Sequence, residues 1–302
     1  MAKILITGAS GQLGNELKDL FTNNERLRKV EVIYTDWNSL DITDKSAVDK
    51  VFSGNDIAVV INCAGYTAVD KAEDEPELCY AVNAKAAGFL AEAVKRHDAY
   101  LIHISTDYIF DGESSTPYTE EFHPNPATVY GKSKLEGEEL IVKSGANYVI
   151  LRTSWLYSVY GNNFPKTILK ASAQKESLNV VSDQIGTPTY AADLAEVAGK
   201  LAYSFLDSFL KGVTSGIPSG IYHYSNEGVC SWYDFAHEIL KMSGSTCKVR
   251  PITSDLYPTK AKRPSYSVLD KTRIKQIIET EIPHWRDSLT LFYKKLIERK
   301  ER

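Results

Sequence analysis

A doubly wound α/β fold with a smaller second lobe is what the sequence predicts, and three observations predict it. Short apolar runs alternate with amphipathic stretches through the first half of the chain, at 3–7, 30–35, 58–62, 100–104 and 148–151. These runs are nearly continuous rather than alternating in polarity, which marks strands covered on both faces, as in a parallel sheet between helices. The first run ends in a glycine-rich turn, Gly8-Ala9-Ser10-Gly11-Gln12-Leu13-Gly14, that opens a helix. Beyond about residue 155 the alternation yields to loops rich in glycine, proline, asparagine and serine. The expectation is a Rossmann-type doubly wound parallel sheet over 1–155, the dinucleotide-binding domain. A smaller C-terminal α/β substrate-binding lobe follows over 156–302, with the segment of about 186–210 packing back on the first domain.

The elements follow in order. Strand 3–7 and the helix after it, with Leu13, Leu17, Leu20 and Phe21 at helical spacing, bracket an anion site. Glycines let the backbone approach a pyrophosphate, and the helix N-terminus offers free N–H groups, so Gly8, Ser10, Gly11, Gln12, Leu13 and Gly14 are cofactor candidates. Strand 30–35 ends at Asp36, about twenty residues past the last glycine, where a carboxylate accepts hydrogen bonds from an adenosine ribose. Asp36 argues for NAD(H) without excluding NADP(H). Asp41 and Ile42 are placed to flank the adenine. The next helix, capped by Thr43 or Asp44, turns Val48, Val51 and Phe52 inward. Strand 58–62 delivers a second small-residue turn, Cys63-Ala64-Gly65-Tyr66-Thr67, to the cofactor edge. A long helix over 77–96 should bury Leu78, Val82, Leu90 and Val94, and strand 100–104 carries Ser105 and Thr106 to the same edge. Further helices are expected at 166–174, 191–205, 232–242 and 285–298, and strands at 178–181 and 221–223.

The helix starting near residue 129 carries the chemistry. Tyr130 and Lys134 are four apart, so their side chains share one helix face and an ammonium can sit beside a phenol oxygen. A free tyrosine ionises near pH ~10, and a nearby cation favours the phenolate, which would let the phenol exchange a proton near neutrality. With 18 tyrosines in the chain, a Tyr-x-x-x-Lys pair arises about once by chance, so the pair gains weight only from its context.

Composition excludes several classes. At 302 residues, 43% apolar and 25% charged, the chain is an ordinary globular protein long enough to bury a core. Its net charge of −4 and lack of a basic tract argue against a nucleic-acid partner. The basic residues Lys294, Lys295, Arg299, Lys300 and Arg302 read as a solvated terminal face. No apolar run approaches the ~20 residues needed to span a bilayer, and the N-terminus passes directly into Ile4-Leu5-Ile6, so a cytoplasmic protein without a membrane partner is expected. Cys63, Cys79, Cys230 and Cys247 have no metal-ligand spacing, and buried free thiols are expected, with no metal.

Taken together, Thr7-Gly8-x-x-Gly11-x-x-Gly14, Asn62-Cys63-Ala64-Gly65, Ser105-Thr106-Asp107 and Tyr130-x-x-x-Lys134 resemble the extended short-chain dehydrogenase/reductase superfamily. More narrowly, Thr67-Ala68-Val69-Asp70-Lys71-Ala72-Glu73, Ser105 to Phe110, Val129 to Lys134, Arg152-Thr153-Ser154-Trp155, Gly161-Asn162-Asn163-Phe164 and Arg263-Pro264 resemble the dTDP-4-dehydrorhamnose reductase family. The resemblance implies reduction of the C4 keto group of dTDP-4-dehydro-6-deoxy-L-mannose by NADPH or NADH. Tyr130 would be the proton donor, Lys134 would hold the nicotinamide ribose and depress the Tyr130 pKa, and Thr106 would hydrogen-bond the keto oxygen. It further implies Gly11, Gln12 and Leu13 at the pyrophosphate, Asp36 at the ribose, Asp41 and Ile42 at the adenine, and Ala64, Gly65, Tyr66 and Thr67 beside the cofactor. Asp107 and Trp155 would contact the sugar nucleotide, with Asn163 and Arg263 near its diphosphate.

Some members of the family are magnesium-bridged dimers. Glu16 fits one of the acidic positions, but Tyr190-Ala191-Ala192 stands where another acid is wanted, so no magnesium is expected, and the protein is a monomer or a homodimer. A 4,6-dehydratase would place a glutamate where Tyr108 stands, which argues for simple reduction. A sugar-nucleotide epimerase on the same scaffold, and a non-catalytic regulatory subunit resembling that of methionine adenosyltransferase, are the alternatives.

Overall fold

The first apolar run forms β1 (Lys3–Thr7) at the interior of the sheet, in a computed structural model that describes residues 2–278 and 280–299. In chain order there follow α1 (Gln12–Asn23), β2 (Glu31–Tyr34), α2 (Lys45–Ser53), β3 (Ile57–Asn62), α3 (Val69–Ala72), α4 (Pro76–Tyr80) and α5 (Ala86–Arg96). The first half closes with β4 (Tyr100–Thr106), α6 (Val129–Ser144) and β5 (Asn147–Thr153). The second half supplies β6 (Leu156–Tyr157), α7 (Phe164–Ser172), β7 (Ser177–Val181), β8 (Ile185–Gly186), β9 (Thr189–Tyr190), α8 (Ala191–Lys211) and β10 (Gly220–His223). Then come β11 (Cys230–Ser231), α9 (Trp232–Ser243), β12 (Lys248–Ile252), α10 (Thr272–Ile278) and α11 (Trp285–Glu298).

The main sheet runs β10-β5-β4-β3-β1-β2 with every pairing parallel. Because successive side chains in a strand point to opposite faces, the continuous apolar runs feed two cores. Ile4, Ile6, Val59, Ile61 and Ile102 pack under α1 and α8, while Leu5, Val60, Leu101 and Ile150 pack under α2 and α5. The strand order reverses between β1 and β3, and in such sheets the crevice beyond the strand carboxyl ends at the reversal is the ligand site. The glycine turn after β1 and the small-residue turn after β3 flank that crevice. A third core, around Tyr157, Phe235, Trp285 and Phe292, holds the second half together.

Several expectations need correction. The helix expected over 77–96 is broken into α4, a π-helical turn at Ala81–Lys85, and α5. The wider π turn carries an extra residue and rotates the face, so Leu90 and Val94 are buried while Leu78 is exposed. α8 runs to Lys211 rather than residue 205 and closes at Gly212, whose φ of 63° is the left-handed cap that glycine adopts freely. The loop leading to β10 therefore begins at 212. Strand Gly220–His223 joins the main sheet beside β5, and β12, not foreseen, pairs with β7. Asp44, not Thr43, caps α2 by accepting from Ser46 N–H.

The basic terminal face is only partly solvated. Lys295 donates to the buried Glu16 carboxylate at 2.7 Å and reaches Asp19 at 2.9 Å, and Arg299 lies over the Tyr160 ring. Lys300 and Arg302 lie outside the described residues. All four cysteines are free, with Cys79 and Cys230 buried but Cys63 and Cys247 only half-buried. Among the described residues no helix is long and apolar enough to cross a membrane, and no group of three metal-ligating side chains is assembled.

Candidate active site

The glycine turn is built as an anion cradle. Gly8 sits at φ 63°, and a Cβ there would lie 2.6 Å from Ala64 N, so the turns after β1 and β3 touch only because Gly8 has no side chain. Gly14 is as tightly placed, since a Cβ there would lie 2.5 Å from Ala9 Cα, which lets α1 start directly at the turn. No side chain caps α1 at Gly11, so its first-turn N–H groups remain available to an anion. These features fit a dinucleotide pyrophosphate at Ser10, Gly11, Gln12 and Leu13.

The neighbouring residues divide. Asp36 is half-buried after β2, and one carboxylate oxygen already accepts from Asn38 N, Ser39 N and Ser39 Oγ, which fixes the side chain in its own turn. Asp41 likewise closes a local turn onto Thr43, and Ile42 is buried beneath it. Ala64, Gly65, Tyr66 and Thr67 form the opposite wall. Tyr66 is held at its backbone N–H and C=O by the Asn83 side chain, which also donates to Ser133 on α6. Asn83 lies in the π turn, and its role was not apparent from the sequence.

Thr128 caps α6 by accepting from Gly131 N–H, which starts the helix one residue before Tyr130. Two glycines then bring the helix in close: a Cβ on Gly131 would lie 2.2 Å from Tyr108 O, and one on Gly137 2.2 Å from Asn83 O. Thr106, at the end of β4, puts its hydroxyl beside the Tyr130 phenol. Thr106 and Tyr130 thus meet at the carboxyl end of β4.

The expected acidification of Tyr130 by Lys134 is not present. Burial pushes the phenol up, and the Thr106 hydroxyl pulls weakly the other way. The Lys134 ammonium is turned back into the protein instead, donating to Ile104 O at 2.6 Å and lying 3.1 Å from His103 Nε2. Burial brings Lys134 itself down to about 8, against an opposing pull from Glu138.

Asp107 is buried with one carboxylate oxygen lacking any hydrogen-bond partner, and burial pushes it up to about 7. Its other oxygen accepts from Thr106 Oγ1 at 3.0 Å. Tyr108 packs edge-on against Tyr130, ring centroids 5.5 Å apart, and its hydroxyl accepts from Arg263 at 2.9 Å. The other arm of Arg263 pairs with Asp70, so this side chain bridges the second half of the chain to the crevice wall. Neither Tyr108 nor Asp70 was singled out as a contact, because only the tertiary fold brings residue 263 beside them.

Trp155 and Asn163 have structural partners of their own. Trp155 stacks on Trp232 with ring centroids 3.5 Å apart, and its φ of 48° is a strained value for a bulky residue. Gly186 makes room for it, since a Cβ there would lie 2.6 Å from the indole. Asn163 caps α7 by accepting from Lys166 N–H and donates to Gln12 of the glycine turn at 2.9 Å. Arg152, close in sequence to Trp155, turns away from the crevice and pairs with Glu138 at 2.6 Å, both side chains 2% exposed.

A glycine turn opening a helix after the first strand of a parallel doubly wound sheet, with Tyr130 and Thr106 at the carboxyl end of β4, defines a Rossmann-fold enzyme of the dinucleotide-dependent type. Within that class, the chain belongs to the family described as RmlD substrate binding domain, which it matches over residues 2–298. It is 43% identical over 295 residues to the dTDP-4-dehydrorhamnose reductase of Aggregatibacter actinomycetemcomitans, covering 96% of this chain and 97% of that one. The crystal structure of a dTDP-4-dehydrorhamnose reductase from Clostridium acetobutylicum is similar at a TM-score of 0.88 and 43% identity, over 98% of this chain and all of that one. That of the Bacillus anthracis dTDP-4-dehydrorhamnose reductase in complex with NADP gives a TM-score of 0.88 at 36% identity, over 97% and 99%.

Proposed function

We propose that this protein reduces the C4 ketone of dTDP-4-dehydro-6-deoxy-L-mannose to the alcohol of dTDP-L-rhamnose, drawing on NADPH or NADH. The observation that carries the reading is the Thr106 hydroxyl beside the Tyr130 phenol, with Lys134 one turn further along α6, in a chain belonging to this family. The Gly8–Gly14 cradle would hold the cofactor's pyrophosphate, Asp36, Asp41 and Ile42 its adenosine end, and the 64–67 turn would flank it, while its reduced nicotinamide would supply the hydride. Tyr130, held neutral by burial, donates a proton to the oxygen that becomes an alkoxide, and Thr106 hydrogen-bonds the same oxygen. Lys134 in its ammonium form places positive charge behind the phenolate that Tyr130 leaves. Asp107, Trp155 and Asn163 line the sugar-nucleotide side, and Arg263 exchanges its pairing with Asp70 for the diphosphate. The reaction is assigned to the cytoplasm, with a small-molecule nucleotide sugar as the sole substrate partner.

Cofactor oxidation followed at 340 nm with the ketosugar tests this directly. Tyr130→Phe should lower kcat by about 10²–10⁴ while leaving cofactor binding intact. Full turnover in that variant would overturn the mechanism.

A further inference from the structure

Behind Lys134 lies a row of buried polar groups for which the reaction described above has no use. Asn62 Oδ1 accepts from Thr7 Oγ1 at 2.6 Å and from Ala64 N–H at 3.2 Å. The Ala64 amide can only donate, so the orientation of the Asn62 side chain is fixed and its Nδ2 faces outward, 3.0 Å from His103 Nδ1. An amide nitrogen has only hydrogens to give, so Nδ1 must accept. A neutral imidazole whose Nδ1 accepts carries its hydrogen on Nε2, and that atom lies 3.1 Å from Lys134 Nζ.

We propose that His103 is a positioning residue for Lys134: locked by Asn62 in the Nε2–H tautomer, it presents a hydrogen to Nζ and stabilises Lys134 as the neutral amine. An ammonium has donors only, so it meets Nε2–H as one donor against another, whereas the amine offers a lone pair. The bond from Nζ to Ile104 O suits either form. His103 is 1% exposed, and burial together with the Lys134 charge drives its pKa well below the ordinary histidine range, which keeps the ring neutral. The other ionisable groups around Nζ are Glu138 on α6, Cys79 on α4 and Cys63 after β3, with Tyr130 one turn away. Glu138 is committed to Arg152 and Ser105, so its charge is already matched. The tautomer lock therefore sets how readily Lys134 gives up the charge that the Tyr130 phenolate needs. The functional half of this inference rests on the proposed roles of Tyr130 and Lys134, while the tautomer does not.

The test uses the full-length protein labelled with ¹⁵N-histidine and ¹³C-lysine. In the wild type, long-range ¹⁵N–¹H spectra should show His103 protonated at Nε2 and bare at Nδ1. An Nδ1–H or doubly protonated ring would overturn the proposal without touching the assigned reaction. In Asn62→Asp the carboxylate can accept from Nδ1, so the ring should switch tautomer and Nε2 should accept from the ammonium. The Lys134 ¹³Cε titration and the basic limb of the kcat/KM profile should then move together to higher pH by about one unit or more. A switched tautomer with both titrations unmoved would also overturn it. Should Asn62→Asp fail to fold, the wild-type spectrum still decides the tautomer. His103→Gln, whose side-chain oxygen can accept from Nζ, should move the basic limb in the same direction, and an unmoved limb in that variant would count against the proposal.

Discussion

Asp107 and Lys134 are held against their ordinary ionisation, and they should impose opposite pH dependences on stability. Asp107 is pushed up to about 7, so between the unfolded carboxylate value of ~3.9 and that point the folded chain holds a proton the unfolded chain has lost. Stability from this group falls as pH rises through that window. Asp107→Asn removes the ionisation, so its stability relative to the wild type should improve steadily from about pH 4 to 7, as read by urea unfolding. Lys134 is brought down to about 8, so between there and ~10.4 it is the unfolded chain that holds the extra proton, and stability from this group rises with pH. At the same scale, the left-handed Trp155 stores strain of order 1–3 kcal/mol, which the stack on Trp232 and the empty side of Gly186 sustain. Gly186→Ala should displace the indole and raise KM for the sugar nucleotide more than it lowers kcat.

Among the elements, α6 determines the site because one of its faces presents Tyr130 and Lys134 while another is anchored in the interior. The anchor is the Glu138–Arg152 pair, bidentate and fully desolvated, with the Ser105 hydroxyl also donating to Glu138. Such a pair adds little over an apolar packing, but removing one partner leaves a buried charge unmatched. Glu138→Gln should destabilise the fold by about 3–5 kcal/mol, visible as a large fall in Tm. Gly137→Ala forces α6 off the π turn that holds Asn83 and should cost about 1–3 kcal/mol through overpacking. Helical spacing made the Tyr130–Lys134 face legible in the sequence. The π turn was not legible, because alanine-rich sequence suits an α-helix equally well and only the need to seat Asn83 between Tyr66 and Ser133 selects the wider turn.

At the scale of the whole molecule, the two halves of the chain share the main sheet and the core on one of its faces. α8 covers the same face as α1, with Leu194, Ala198, Leu201 and Phe205 against Ile4, Ile6 and Val59, and β10 adds a strand beside β5. A chain ending at residue 155 would leave that face bare, and by the usual ~25 cal/mol per Å² of apolar surface the loss is large. It should lose cooperative unfolding and bind hydrophobic dyes. Lys260–Asp74 and Arg263–Asp70 cross from the second half to the crevice wall. Solvent-accessible pairs of this kind are worth about 0–1 kcal/mol, a cost small enough for the exchange of partners proposed for Arg263.

The sequence by itself determined the parallel sheet, the glycine cradle and the Tyr130–Lys134 helix face, since each follows from periodicity or from local backbone demands within a few residues. What the tertiary structure alone decided is the direction in which those groups act. Lys134 faces His103 and Ile104 rather than Tyr130, Arg152 turns inward to Glu138, and Arg263 meets Tyr108 and Asp70 from more than 150 positions away in the chain. Burial and long-range pairing set those orientations, and neither is encoded in the spacing of neighbouring residues.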